Sequence, residues 1–136
     1  MTVPALVDEA TKKSGLVWVT LQDETRPHPV WHLWHDGRMY VVTGGLEQPL
    51  PLGEPPAVRA VVAVRSKDKQ ADLLVAWVAE VDRVAPRTAL WDEVVPLLHA
   101  KRLNARDGED QPLRWAQESA VLRFTPTGET LPLSGS

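Results

Sequence analysis

The chain contains no cysteine. That removes disulfides, thiol catalysis and cysteine-ligated metal sites together, and it fits a cytoplasmic location. Neither sign of charge dominates: 15 Lys and Arg stand against 18 Asp and Glu, a formal net charge of -3. The basic excess of a nucleic-acid-binding domain is missing, and so is a polybasic membrane anchor. No apolar run approaches the roughly 20 residues that cross a bilayer. Asp8 and Glu9 interrupt the apolar stretch that a signal peptide would need. There is no P-loop, and the glycines are not spaced as a dinucleotide fingerprint. Ser14, Ser66 and Ser119 lack the G-x-S-x-G context of a nucleophile elbow.

What is present suits one globular unit. At 136 residues, with 43% apolar and 24% charged positions, the chain is long enough to bury a core and is close to average composition. We expect a single domain over residues 1–136, its core at about 16–125 and a frayed tail at 126–136.

Hydrophobic period divides the chain into elements. Thr2 is placed to cap a short helix whose Val3, Leu6, Val7 and Ala10 recur at helical spacing, with Gly15 to stop it. Residues 16–22 alternate, Val17, Val19 and Leu21 on one face and Trp18, Thr20 and Gln22 on the other, which predicts a strand. Residues 28–35 read as a second strand, with Pro27 and Pro29 biasing its start to a sheet edge. Asp36-Gly37 signals a tight hairpin, because both residues tolerate positive φ, and residues 38–43 return as a third strand. The first fifty residues thus read as a meander.

Residues 44–56 are rich in Gly and Pro and predict a long loop. Residues 58–65 and 73–84 predict two further strands around a charged turn at 66–70. Residues 88–103 switch to helical period, with Leu90, Val94, Leu97 and Leu98 on one face and Pro96 placed to kink or split the helix. A polar loop at 104–112, a short helix around Trp115 and a last strand at 120–125 complete the order. Antiparallel strands in this sequence close naturally into a small barrel, so the expected class is mostly β with flanking helices, an antiparallel split β-barrel.

Three constellations carry candidate chemistry. His28, His32 and His35 cluster, but histidines four apart on a strand stand about 13 Å apart, too far to share an ion; no metal site is expected, and ordinary sheet-surface histidines are the alternative. Glu80 and Asp82 share one strand face, as paired carboxylates for acid–base work or as solvated side chains. The six tryptophans include Trp31 and Trp34, which suit stacking on a flat ring and equally suit core or interface packing.

Pro29-Val30-Trp31, then Asp36-Gly37-Arg38-Met39-Tyr40, then Val42-Thr43-Gly44, then residues 61–67 follow one another in an order that resembles the split barrels of the pyridoxamine-phosphate-oxidase-like superfamily, including the actinobacterial flavin and deazaflavin oxidoreductases. The resemblance covers roughly residues 16–125. It implies a homodimer with FMN or a deazaflavin coenzyme at the subunit interface, and an oxidoreductase whose hydride chemistry belongs to the cofactor. On that reading Thr43, Gly44, Gly45 and Gln48, with Arg65 and Lys67, hold the phosphate, while Trp31 or Trp34 flanks the ring. No catalytic acid or base is implied. In the family a small polar residue and a cation follow the Y-x-x-T strand. Here residues 44–49 carry no cation, and Glu47 repels phosphate. Loop glycines can still offer an anion nest, and the 65–69 turn can supply charge or be a plain solvated hairpin. The alternative function is a cofactor-free split-barrel dimer that binds a small-molecule ligand or another protein; nucleic acid and membrane are not expected partners.

Overall fold

The computed structural model describes residues 4–22, 24–44, 50, 58–65, 73–101, 115 and 119–131. The elements run α1 (Ala5–Lys13), β1 (Val17–Leu21), β2 (His28–Val30), β3 (Leu33–His35), β4 (Arg38–Thr43), β5 (Arg59–Arg65), β6 (Leu73–Val84), α2 (Ala89–Lys101) and β7 (Ala120–Leu131). Among the described residues the strands form one sheet in the order β2-β1-β5-β6-β7-β4-β3, every neighbouring pair antiparallel.

That order forces the sheet to curl. β2 and β3 are its two edges, and a flat sheet would hold them about 29 Å apart at six strand spacings. Yet Val30 and Leu33 are three residues apart in the chain, a span of at most about 11 Å. The sheet must therefore wrap until its edges nearly meet, which is a split barrel with flanking helices, as the sequence predicts. The same fact corrects the single strand expected over 28–35. The chain leaves the ladder at Trp31-His32, so β2 pairs with β1 and β3 with β4, and the meander is two hairpin pairs on opposite edges.

The Asp36-Gly37 turn has φ values of 52° and 74°, the paired left-handed conformation that a two-residue hairpin needs. The remaining strand predictions stand with small shifts, save the last. β7 continues past residue 125 to Leu131, so 126–131 are strand and no frayed tail. Its pairing with β6 shifts register between Trp77 and Ala79. Pro126 has no N–H to give the ladder. Thr127 compensates, its hydroxyl donating to the Val78 carbonyl at 3.1 Å, and Gly128 takes a φ of 95°.

Two cores result. The barrel interior holds Val17, Val19, Leu21, Met39, Val41, Val62, Val64, Val75, Trp77, Val81, Leu122 and Phe124, with Leu50 against them. α1 closes this core with Val7 and Ala10. The other face of β4 and β7 carries Tyr40, Val42 and Val121, which α2 covers with Trp91, Val94, Val95 and Leu98. Helix faces differ from expectation in detail. Leu6 is 53% exposed, and Thr11 is buried instead because its hydroxyl is occupied. Leu97 is also exposed, and α2 runs unbroken through Pro96, whose side faces water. α1 ends at Ser14 in an extended conformation, without a left-handed Gly15. Thr2 and Val3, the 66–70 turn, the 104–112 loop and the segment 132–136 lie outside the described residues. Among the described residues no helix is long and apolar enough to cross a membrane.

Candidate functional site

Strand alternation decides which side chains leave the barrel. On β1, β5 and β6 the inward residues are those of the first core, so Trp18 and Thr20, Val61 and Ala63, and Ala76 and Val78 face out. Register aligns them in rows. Trp18 stands beside Ala63 and Ala63 beside Ala76; Thr20 stands beside Val61 and Val61 beside Val78. Trp18, Thr20, Val61 and Ala63 are half-buried, so the outer face presents an apolar patch.

The next rows are charged. Arg59 pairs with Glu80, and Glu80 with Thr125. Extending the β4–β7 register by one step from Met39 and Phe124 sets Arg38 beside Thr125. In the following row Asp82 lies opposite Arg123, and Arg123 opposite Tyr40. Arg38, Val58, Arg59, Glu80, Val81, Asp82, Arg123 and Thr125 line a cleft of about 720 Å³. A second depression of about 200 Å³ shares Arg38, Glu80 and Thr125 and reaches the Asp36-Gly37 turn. Glu80 and Asp82 are solvent-exposed, as one of the two sequence readings has it, and both line this open cleft.

Asp82 is committed. It accepts from Arg123 Nε at 3.0 Å and Nη2 at 2.7 Å, a bidentate pair that raises the guanidinium pKa further. Arg38 and Arg59 make no side-chain hydrogen bond or ion pair among the described residues. Tyr40, almost fully buried, has its phenol pushed up by burial.

Among the described residues, those expected from the family resemblance do not gather in one place. Thr43 is buried at the end of β4, and Gly44 follows with a φ of 87°, its carbonyl accepting from Ser119 Oγ at 3.0 Å. Arg65 ends β5 opposite Leu73, while Thr43 pairs with Ala120, next to the residue that faces Val84. Leu73 and Val84 are the two ends of β6, roughly 36 Å apart along the strand. Arg65 instead lines a groove of about 510 Å³ beside α1, with Leu6, Ala10, Lys13 and Leu74. Gly45, Gln48 and Lys67 lie outside the described residues.

Trp31 and Trp34 are half-buried, and each packs on another tryptophan of the same chain. Trp31 tilts on Trp115 at a centroid distance of 6.4 Å, and Trp34 meets Trp77 edge-on at 5.9 Å. Trp34 Nε1 donates to Asp8 Oδ1 at 2.8 Å. The histidines separate. His35 Nε2 meets Glu93 Oε2 at 2.8 Å, tying β3 to α2. His32 is fully buried, a correction to the surface reading, and its Nε2 donates to the Thr11 carbonyl at 2.8 Å. Burial pushes its pKa down to about 4, with the nearby Lys101 ammonium adding to the drop against the Thr11 bond. Among the described residues no group of three or more His, Cys, Asp and Glu is placed to hold a metal ion.

Arg59, Arg123 and Thr125 escaped sequence reasoning, and Arg38 entered it only as part of the hairpin motif. Alternation alone puts each on an outward face; only the register between β4, β7, β6 and β5 places them side by side.

No family model matches the chain, and no curated protein matches it. Solved structures do. The heme storage protein HutZ from Vibrio cholerae is similar at a TM-score of 0.62 and 11% identity, over 96% of this chain and 94% of that one. A proposed pyridoxamine 5'-phosphate oxidase from Listeria innocua is similar at 0.59 and 15%, over 90% and 91%. An FAD-binding protein from Mesorhizobium loti is similar at 0.56 and 11%, over 96% and 92%. These likenesses, at such low identity, show the fold: this chain has the split barrel of the pyridoxamine-phosphate-oxidase-like proteins.

Proposed function

We propose that this chain is a cytoplasmic homodimer that binds a flavin-type cofactor, FMN or a deazaflavin, and serves as an oxidoreductase. The observation that supports it most is the whole-chain likeness to split barrels, among them an FAD-binding protein. The outer apolar rows, with half-buried Trp18, Val61 and Ala63, supply a face for a second copy of the chain.

The residues fit the cofactor in part. Thr43 and the left-handed Gly44 offer a small, polar corner for a phosphate. Arg65 lies at the far end of the sheet, so it reaches that corner only from a second subunit. Trp31 and Trp34 meet a flat ring only from their exposed sides, since each is packed on another tryptophan. When bound, the cofactor would supply hydride transfer. This chain's residues would hold the phosphate, wall the ring and exclude water.

A second reading, a cofactor-free binding module, draws support from Glu47 and the absence of a cation over residues 44–49. One titration separates the two. The purified protein is examined for flavin absorption, then titrated with FMN and with a deazaflavin while tryptophan fluorescence is followed. Saturable quenching at micromolar concentration by one of them is the expected result. No chromophore and no quenching by either would leave the second reading in place.

A further inference from the structure

We infer that the cleft built by Arg38, Arg59 and Arg123 is a binding site for an organic monocarboxylate, a site that needs no cofactor. Among the described lining residues three guanidinium groups face two carboxylates, which leaves one net positive charge. Asp82 neutralises Arg123 and fixes its plane by a two-point contact. Arg38 and Arg59 remain without a side-chain partner among the described residues, and Glu80 between them can neutralise only one. Their Cα atoms are three strand spacings apart, about 14 Å, which lets two long side chains converge over Glu80 and Thr125.

The chemistry of the ligand follows from charge and volume. A guanidinium presents a planar fork of donors, matched by a planar carboxylate. One net positive charge is satisfied by one carboxylate. A phosphate dianion would place a second negative charge against Glu80 and Asp82. A cleft of about 720 Å³ is far larger than an inorganic ion and lies in the range of small-molecule sites. Val58, 58% exposed on the cleft wall, receives an aliphatic or aromatic body. The Thr125 hydroxyl supplies a further donor beside the carboxylate.

The test uses the full chain at low salt, titrated with sodium benzoate, sodium hexanoate and sodium phosphate while backbone amide NMR shifts are followed. Benzoate or hexanoate is expected to shift residues 80–82 and 123–125 saturably, and phosphate to bind more weakly. R38M and R59M should each weaken that binding about tenfold, the loss of one charge-assisted contact. E80Q should tighten it several-fold, an outcome that misfolding cannot imitate. Absence of saturable shifts with both acids, unchanged affinity in R38M and R59M with native spectra, or tighter binding of phosphate would each overturn the assignment.

Discussion

His32 carries the clearest pH dependence of any single side chain here. Its Nε2–H is spent on the Thr11 carbonyl, and Nδ1 is buried with no partner. Protonation would put a charge and an unpaired N–H into the interior. The folded pKa of about 4 lies below the ordinary 6.5, so the unfolded chain binds the proton more readily. Stability is therefore full above pH 6.5 and falls as pH drops toward 4, by roughly 3 kcal/mol in all. Urea unfolding at pH 7 and pH 4.5 should show this difference, and H32L should lose most of it while paying about 1 kcal/mol at neutral pH for the missing hydrogen bond. The Arg123–Asp82 pair is different, because 31% and 50% of its side chains are exposed. D82N should change stability by less than about 1 kcal/mol.

At the scale of elements, two local devices replace hydrogen bonds that the backbone forgoes. Thr88 Oγ1 accepts from the Trp91 N–H at 3.2 Å at the start of α2, and its own hydrogen goes to the Ala85 carbonyl. This side-chain cap satisfies one of the orphan donors of the first turn. T88A should cost about 1 kcal/mol, read as a lower urea midpoint with unchanged slope. In β7 the Thr127 hydroxyl reaches the Val78 carbonyl beside the register shift. T127V keeps the shape but leaves that carbonyl unpaired, for an expected loss of about 1–2 kcal/mol. α1 is held by side-chain contacts: Trp77 Nε1 to Thr11 Oγ1 at 3.1 Å, Trp34 to Asp8, and His32 to the Thr11 carbonyl. Lys101 of α2 donates to the His32 carbonyl, so the corner between the two sheet edges is tied to both helices.

For the whole molecule, curling the sheet leaves an inner face filled by the first core and an outer face divided between α2, the apolar rows and the arginine cleft. In the proposed homodimer this apolar sheet face is the surface through which the second copy associates. Sedimentation of the native protein should give a dimer, and V61K should give a folded monomer with unchanged far-ultraviolet circular dichroism. A native monomer would remove the interface on which the proposed cofactor site depends.

Strands, both helices and the Asp36-Gly37 hairpin were legible in the sequence, because each follows from local period or from turn residues that tolerate positive φ. The order of motifs from Pro29 to Gly44 also pointed to the split barrel. The break at Trp31-His32 was not legible, since residues 28–35 are β-like throughout and only barrel closure requires the corner. Nor was the strand beyond Pro126, where a threonine hydroxyl stands in for the missing donor. The candidate cleft belongs wholly to tertiary structure. Arg38, Arg59, Glu80 and Arg123 are scattered over four strands, and their neighbourhood is a property of register, which long-range pairing sets. Sequence period determined which way each of these side chains points; the fold decided which of them meet.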